Sequence, residues 1–205
     1  MNSLINQLIK DGYLKTEKVI NAFSEIGRVE FVPEEMELQA EANVALPIGC
    51  GQMISQPLTV AFMLELLDPS PGQKILDVGS GSGWTTALLS HIVGEKGKVV
   101  AVERIKKLCD LGQENVEKFG YVSRGIAQFH LGDGSKGCPE EAPFDRILVS
   151  AETDKIPEDL KNQLKVGGKM VIPTKNSLYY LEKKDEEKFY EEEFSGFSFV
   201  PLIID

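Results

Sequence analysis

The stretch Ile75-Leu76-Asp77-Val78-Gly79-Ser80-Gly81-Ser82-Gly83 constrains this chain more than any other. An apolar run ends in an acid and then in glycines at alternate positions, the pattern of a buried strand entering a tight turn. Glycine in that turn lets the backbone come close to a ligand, because any Cβ would stand in the way. Trp84-Thr85-Thr86-Ala87-Leu88-Leu89 then opens a helix whose free N–H groups favour electron-rich ligand atoms. Strand, turn and helix start together read as a nucleotide-type cofactor site.

The rest of the chain supplies a frame for that site. From Gln73 onward apolar strand patterns (near 74–78, 98–103, 126–131, 145–150 and 168–173) alternate with helical ones (near 84–93, 104–119 and 156–164). Such alternation gives right-handed βαβ units and a mostly parallel sheet covered on both faces. After Pro173, Leu178–Leu181 and Phe197–Leu202 read as antiparallel edge strands, and the charge run Glu182–Glu193 between them as a solvated hairpin. Before Gln73 the pattern is helical. Leu4, Ile5, Leu8 and Ile9 share one helix face, and a second helix starts at Thr16 as N-cap and ends at Gly27. Residues 46–57 read as a Gly/Pro-rich loop, after which Pro57 opens a third helix to Leu67.

Glycine spacing separates the cofactors. The dinucleotide fingerprint is G-x-G-x-x-G, with its third glycine serving helix packing. Here the spacing is G-x-G-x-G, and Trp84 occupies the place of that third glycine. Twenty residues past Gly83, Lys98–Val102 form a second strand ending in Glu103, whose carboxylate suits two ribose hydroxyls. Glu103 also keeps a nicotinamide dinucleotide open as a minor alternative. Gly132-Asp133-Gly134 follows the third strand. Asp133 is placed there to meet an adenine amino group, with Gly134 giving the ring room; an ordinary Asp-Gly turn is the plainer alternative.

Composition narrows the class. A chain of 205 residues is long enough for one large core. The net charge of −10 argues against nucleic acid as a partner. Cys50, Cys109 and Cys138 show no metal-ligand spacing, so they read as reduced thiols in a cytoplasmic protein with no metal. His91 and His130 read as structural or surface residues. No apolar run reaches membrane-spanning length, and Met1–Asn6 lacks the character of a leader peptide.

Asp77-x-Gly79-x-Gly81-x-Gly83 resembles motif I of the class I S-adenosylmethionine-dependent methyltransferases. Leu46-Pro47-Ile48-Gly49-Cys50-Gly51-Gln52-Met53-Ile54-Ser55-Gln56-Pro57 then narrows the resemblance to the protein-L-isoaspartate O-methyltransferases. Arg28-x-x-Phe31-Val32-Pro33, Glu103-Arg104-Ile105, Gly132-Asp133-Gly134, Pro143–Ile147, Leu164-Lys165-x-Gly167-Gly168 and Phe199–Leu202 match that family in order. The resemblance implies a Rossmann-like α/β/α sandwich with a mostly parallel seven-stranded sheet. It implies a single domain: a helical cap and active-site loop over 1–57, a cofactor-binding core over 58–173 and edge strands over 174–205. It implies methyl transfer from S-adenosyl-L-methionine to the free carboxylate of L-isoaspartyl residues in damaged proteins, leaving S-adenosyl-L-homocysteine. Ser55 is then the active-site serine. Ile54, Ser55, Asp77, Gly79, Ser80, Gly81, Gly83, Glu103, Arg104, Asp133 and Gly134 are expected at the cofactor, and Ser55, Ala151 and Glu152 at the substrate. A monomer is expected.

Three positions depart from the family pattern. Met53 stands where threonine is common, and Glu41-Ala42-Asn43 where Tyr-x-Asp is common. Val149-Ser150-Ala151 is followed by Glu152-Thr153-Asp154 rather than Ala-Ala-Pro. Turned into the cleft, the two acids would oppose an anionic substrate by about 4 kcal/mol per like-charge pair at roughly 4 Å. That leaves two alternatives open: a methyltransferase with another acceptor, such as an amine, and a cofactor-binding protein without turnover.

Overall fold

The computed structural model describes residues 3–204; Met1 and Asn2, part of the N-terminal stretch read above, lie outside the described residues. Helices α1 (Ser3–Lys10) and α2 (Glu17–Glu25) come first. Two short 3-10 turns follow over Arg28–Phe31 and Glu34–Gln39. Thr16 sits at the start of α2 in extended conformation, but its hydroxyl bonds Glu65 Oε1 at 3.3 Å instead of capping the helix. Strands β1 (Leu46–Gly49) and β2 (Gln52–Ile54) form an antiparallel hairpin in the segment read as a loop. Cys50 and Gly51 turn it with φ of 53° and 71°, the double positive φ of a two-residue hairpin turn. Only three or four residues per strand, with proline in one, is too little alternation to read as strand.

Helix α3 (Pro57–Leu67) starts on its proline as expected. Then come β3 (Lys74–Val78), α4 (Trp84–Val93), β4 (Lys98–Glu103), α5 (Lys106–Glu117), β5 (Ala127–Leu131), β6 (Phe144–Val149), α6 (Glu158–Asn162), β7 (Leu164–Thr174), β8 (Ser177–Lys183) and β9 (Phe189–Ser195). The seven-stranded sheet runs β5-β4-β3-β6-β7-β8-β9. Neighbours from β5 to β7 are parallel, and β8 and β9 complete the sheet antiparallel. Ile75 and Val99 pack on one face with helices α3, α4 and α5, while Leu76, Val78, Val100 and Val102 pack on the other with Leu160 of α6. Burial on both faces is why these strands read as continuous apolar runs.

The C-terminal edge differs from the expectation. The hairpin at Glu182–Glu193 is present, but its second arm, β9, is the edge strand itself. Phe197–Leu202 is not a strand of the sheet. Its backbone instead crosses to Glu152, which donates to the Val200 carbonyl (2.8 Å) and accepts from the Leu202 amide (2.7 Å). The exposed Glu191, Glu192 and Glu193 make β9 strand-like by pairing rather than by apolar pattern. Among the described residues no helix is long and apolar enough to cross a membrane.

β4 leaves one side of β3 and β6 the other. Crossovers diverge at that point, so a crevice opens beyond the carboxyl end of β3. The glycine turn lies there.

Candidate active site

The crevice encloses about 850 Å³ of open space. Its wall combines the glycine turn (Gly79, Ser80, Gly81), the end of β4 (Glu103, Arg104), Gly134, Ala151, and Ile54 with Ser55 from the β1–β2 hairpin and its exit. Nine scattered positions expected from the sequence thus meet on one surface.

Gly83 stands behind the turn. It begins α4 with φ of 92°, and a Cβ there would lie 2.7 Å from the Gly112 carbonyl of α5. This glycine therefore serves helix packing rather than the ligand. Gly134 needs its missing side chain for a different reason, since a Cβ would strike Val78 Cγ1 at 2.5 Å.

Asp77 also stands behind the lining. Its Oδ2 accepts from the hydroxyls of Thr86 (2.6 Å) and Thr85 (2.8 Å), tying β3 to the first turn of α4. Burial drives its pKa up to about 6, the threonine bonds oppose that, and Glu103 adds to it. A carboxyl whose folded pKa lies above its ordinary 3.8 takes up a proton on folding, so its stabilising contribution is complete below pH ~4 and is lost as pH rises through ~6. We expect the urea-unfolding free energy of the protein to lose about 3 kcal/mol from this group over that window. Asp77→Asn should remove that part of the slope.

Glu103 closes the turn from the other side. Its Oε2 accepts from the Gly81 amide at 3.0 Å and its Oε1 from the Ile105 amide at 2.9 Å. Each oxygen keeps a further lone pair for a ribose hydroxyl. The Ser80 and Ser82 hydroxyl oxygens are buried on the crevice wall without protein partners. Two orphaned hydroxyls, a shared carboxylate and a helix start fit an adenosyl ligand carrying polar groups at both ends.

Asp133 is held by its own turn. Its Oδ1 accepts from the Ser135 amide (2.9 Å) and hydroxyl (2.7 Å), and the crevice wall is formed by its neighbour Gly134. Glu152 lies outside the lining, half-buried beside the 200–202 backbone, and Asp154 is exposed to solvent. The rim beside the crevice is therefore Ser150-Ala151; neither acid of the departure lines it, although Glu152 Oε2 is buried nearby without a partner. Asn43 takes a structural place: its Oδ1 accepts from the Leu58 amide (3.0 Å) at the start of α3.

A second recess of about 750 Å³ adjoins the first and shares Met53, Ser55, Ser150 and Val200 with it. Its other walls include Gln56, Thr59 and Ser198. No charged residue lines it, and hydroxyls dominate its polar surface.

Several contributors were not expected, Ser82 and Ser150 of the crevice wall among them. Val200–Ile203 roof the crevice, although their apolar run reads as a strand. Arg28 fixes the hairpin from beneath through a network described below; only its place in the Arg28–Pro33 motif signalled it. His91 is structural, its ring bonded to Tyr121 Oη (3.0 Å) and Asn21 Oδ1 (2.6 Å).

Sheet order, glycine turn and the carboxylate at the end of β4 together define a class I S-adenosylmethionine-dependent methyltransferase. The chain belongs to the protein-L-isoaspartate(D-aspartate) O-methyltransferase family, whose model matches residues 1–204. It is 44% identical over 204 residues to a protein-L-isoaspartate O-methyltransferase of Methanopyrus kandleri, covering 98% of this chain and 89% of the relative. A solved protein-L-isoaspartate O-methyltransferase superposes with a TM-score of 0.86 at 31% identity, over 97% of this chain and 64% of that one. A Plasmodium falciparum protein described as a beta-aspartate methyltransferase (PCMT), crystallised with S-adenosyl-L-homocysteine, superposes with a TM-score of 0.84 at 25% identity, over 98% of this chain and 97% of that one.

Proposed function

We propose that this chain transfers the methyl group of S-adenosylmethionine to the free carboxylate of L-isoaspartyl residues in damaged proteins, with Ser55 orienting that carboxylate. The observation that carries the assignment to Ser55 is its position at the junction of the crevice and the neutral, hydroxyl-lined recess. Ile54, Gly79, Ser80, Gly81, Glu103, Arg104 and Gly134 would hold the cofactor, with Asp133 bracing Gly134. When bound, the cofactor supplies an electrophilic methyl on a sulfonium.

The acceptor carboxylate is ionised at neutral pH, because its ordinary pKa lies near 3.5. No general base is required, and no histidine lines either recess. The chain's task is alignment and exclusion of water. Ser55 donates a hydrogen bond to one carboxylate oxygen and aims the other. Ala151 and Ser150 keep the rim small and uncharged, while the 200–203 roof limits water at the crevice.

The protein acts as a single methyltransferase domain over 1–205, capped by 1–57, in the cytoplasm, without nucleic acid. A monomer is supported by β9, whose exposed Glu191–Glu193 disfavour pairing with a second sheet edge.

The test is incubation with labelled methyl donor and an isoaspartyl peptide, with the aspartyl peptide as control. Base-labile ester on the isoaspartyl peptide alone is expected; stable label on an amine would reassign the acceptor. Ser55→Ala should lower kcat/KM by about 10- to 100-fold, the value of one hydrogen bond to a charged group, and leave S-adenosyl-L-homocysteine affinity within about twofold. Unchanged turnover would remove Ser55 from the site.

A further inference from the structure

We propose that His130, Cys138 and Glu140 form a binding site for a zinc ion, where the two ends of the loop that carries Asp133 and Gly134 meet. One ligand atom from each lies within 4.8 Å of the others. No other group of three such residues converges in this way among the described residues. The cysteine spacing that argues against a metal considers cysteines alone; the third thiol meets a strand histidine and a turn carboxylate only after folding.

The donor set is specific. Thiolate, imidazole and carboxylate together suit zinc, and disfavour magnesium and calcium, which prefer all-oxygen shells. Two of the three ligands are already fixed. His130 is on β5, paired with Val102 of β4. Cys138 is 2% exposed, and its amide donates to Gln163 Oε1 at 2.8 Å, while Gln163 Nε2 donates to the Lys136 carbonyl at 2.8 Å. Glu140 is exposed and supplies the movement needed to close the set. A tetrahedral zinc shell places ligand atoms about 3.5 Å apart, so the group must contract by roughly 1 Å.

The cluster is also incompletely satisfied as it stands. His130 Nε2 is buried with no partner, and Nδ1 is 3.8 Å from Glu140 Oε1, beyond hydrogen-bond length. The neighbouring Glu141 is committed elsewhere, to Lys98 (2.7 Å) and Lys74 (3.0 Å), leaving Glu140 as the carboxylate on this side. On binding, the S–H proton leaves to solvent and the thiolate joins the metal, with a water in the fourth position. The ion would clip the ends of the 130–140 segment together.

The experiment is titration of the reduced, full-length protein with zinc against a chromophoric zinc indicator, followed by cobalt substitution. One tight equivalent is expected, with a near-ultraviolet thiolate-to-cobalt absorption. Cys138→Ser should abolish that absorption and weaken zinc by more than about 100-fold, beyond the roughly 10- to 100-fold that outer-shell changes cost. Glu140→Gln, at an exposed position, should weaken zinc by about tenfold or more. Cys50→Ser, at the exposed hairpin turn, should leave both signals unchanged. Zinc affinity equal in the protein and in Glu140→Gln, or a signal that follows Cys50, would overturn the site.

Discussion

Arg28→Met is expected to unseat the hairpin that carries Ser55 and to lower the unfolding free energy by about 4 kcal/mol. Arg28 is 6% exposed, and its guanidinium donates to the carbonyls of Ala40 (3.0 Å), Ala42 (3.3 Å), Val44 (2.9 Å), Ile54 (3.4 Å) and Ser55 (3.0 Å). It also lies 5.4 Å from the centre of the Trp84 ring, at the start of α4. Burial lowers its pKa to about 10, which still leaves it charged at neutral pH. The fork thus gathers residues 40–55, a segment whose regular structure is the short β1–β2 hairpin. Each carbonyl left dry without a donor costs about 1–3 kcal/mol, and two or three that stay buried give the stated total. Arg28→Lys keeps the charge but cannot present a planar fork to separated acceptors, so it should recover only part of the loss. Urea unfolding measures the stability. Methyl transfer measured where both variants are folded should fall more than cofactor affinity does, because Ser55, proposed to orient the acceptor, lies at the end of this segment. A stability within 1 kcal/mol of the parent would show that other contacts hold the segment.

Glu103→Ala should cost the cofactor about 100- to 1,000-fold in affinity. In the protein this carboxylate does two jobs at once. It holds the Gly81 and Ile105 amides, which shapes the turn, and it presents its remaining lone pairs to the crevice. Hydrogen bonds to a charged acceptor contribute about 1.5–3 kcal/mol each, so losing two to a ribose diol amounts to about 3–6 kcal/mol, and the stated range in dissociation constant is its lower part, water replacing some of the loss in the open crevice. Glu103→Gln keeps one carbonyl acceptor and should fall between the two. Titration calorimetry with S-adenosyl-L-homocysteine reads the effect directly. Affinity within a fewfold in the alanine variant would mean that the diol is held elsewhere.

Much of the cofactor half of the molecule is written in short stretches. Ile75–Val78 is apolar on both faces because both faces are covered, and Gly79–Gly83 announces the turn because no side chain fits there. Pro57 marks a helix start through its own ring geometry. These are local rules, so the β3–turn–α4 unit, the order of strands and helices, and Glu103 at a strand end were all readable. The same locality explains what was misread. Phe197–Leu202 is apolar because Phe197 stacks on Phe62 and Val200–Leu202 line the crevice, not because it is a strand of the sheet, and β9 is acidic because only one neighbour covers it. Asp77 sits in the motif as a bare acid, and only the approach of Thr85 and Thr86 shows that it braces the turn from behind.

The sequence by itself determined the fold class, the cofactor turn and the family, since each is carried by residues close together along the chain. Tertiary structure alone decided which side chains share a surface. It gathered five carbonyls around Arg28, set Ser55 at the meeting of two recesses, and brought Cys138 to His130 and Glu140. It also carried Asp154 out to solvent and kept Glu152 out of the crevice lining, leaving Ser150 and Ala151 at the rim. The physical reason is the same in each case: burial, pairing and electrostatic opposition depend on distance in space, and a chain's order states only distance along itself.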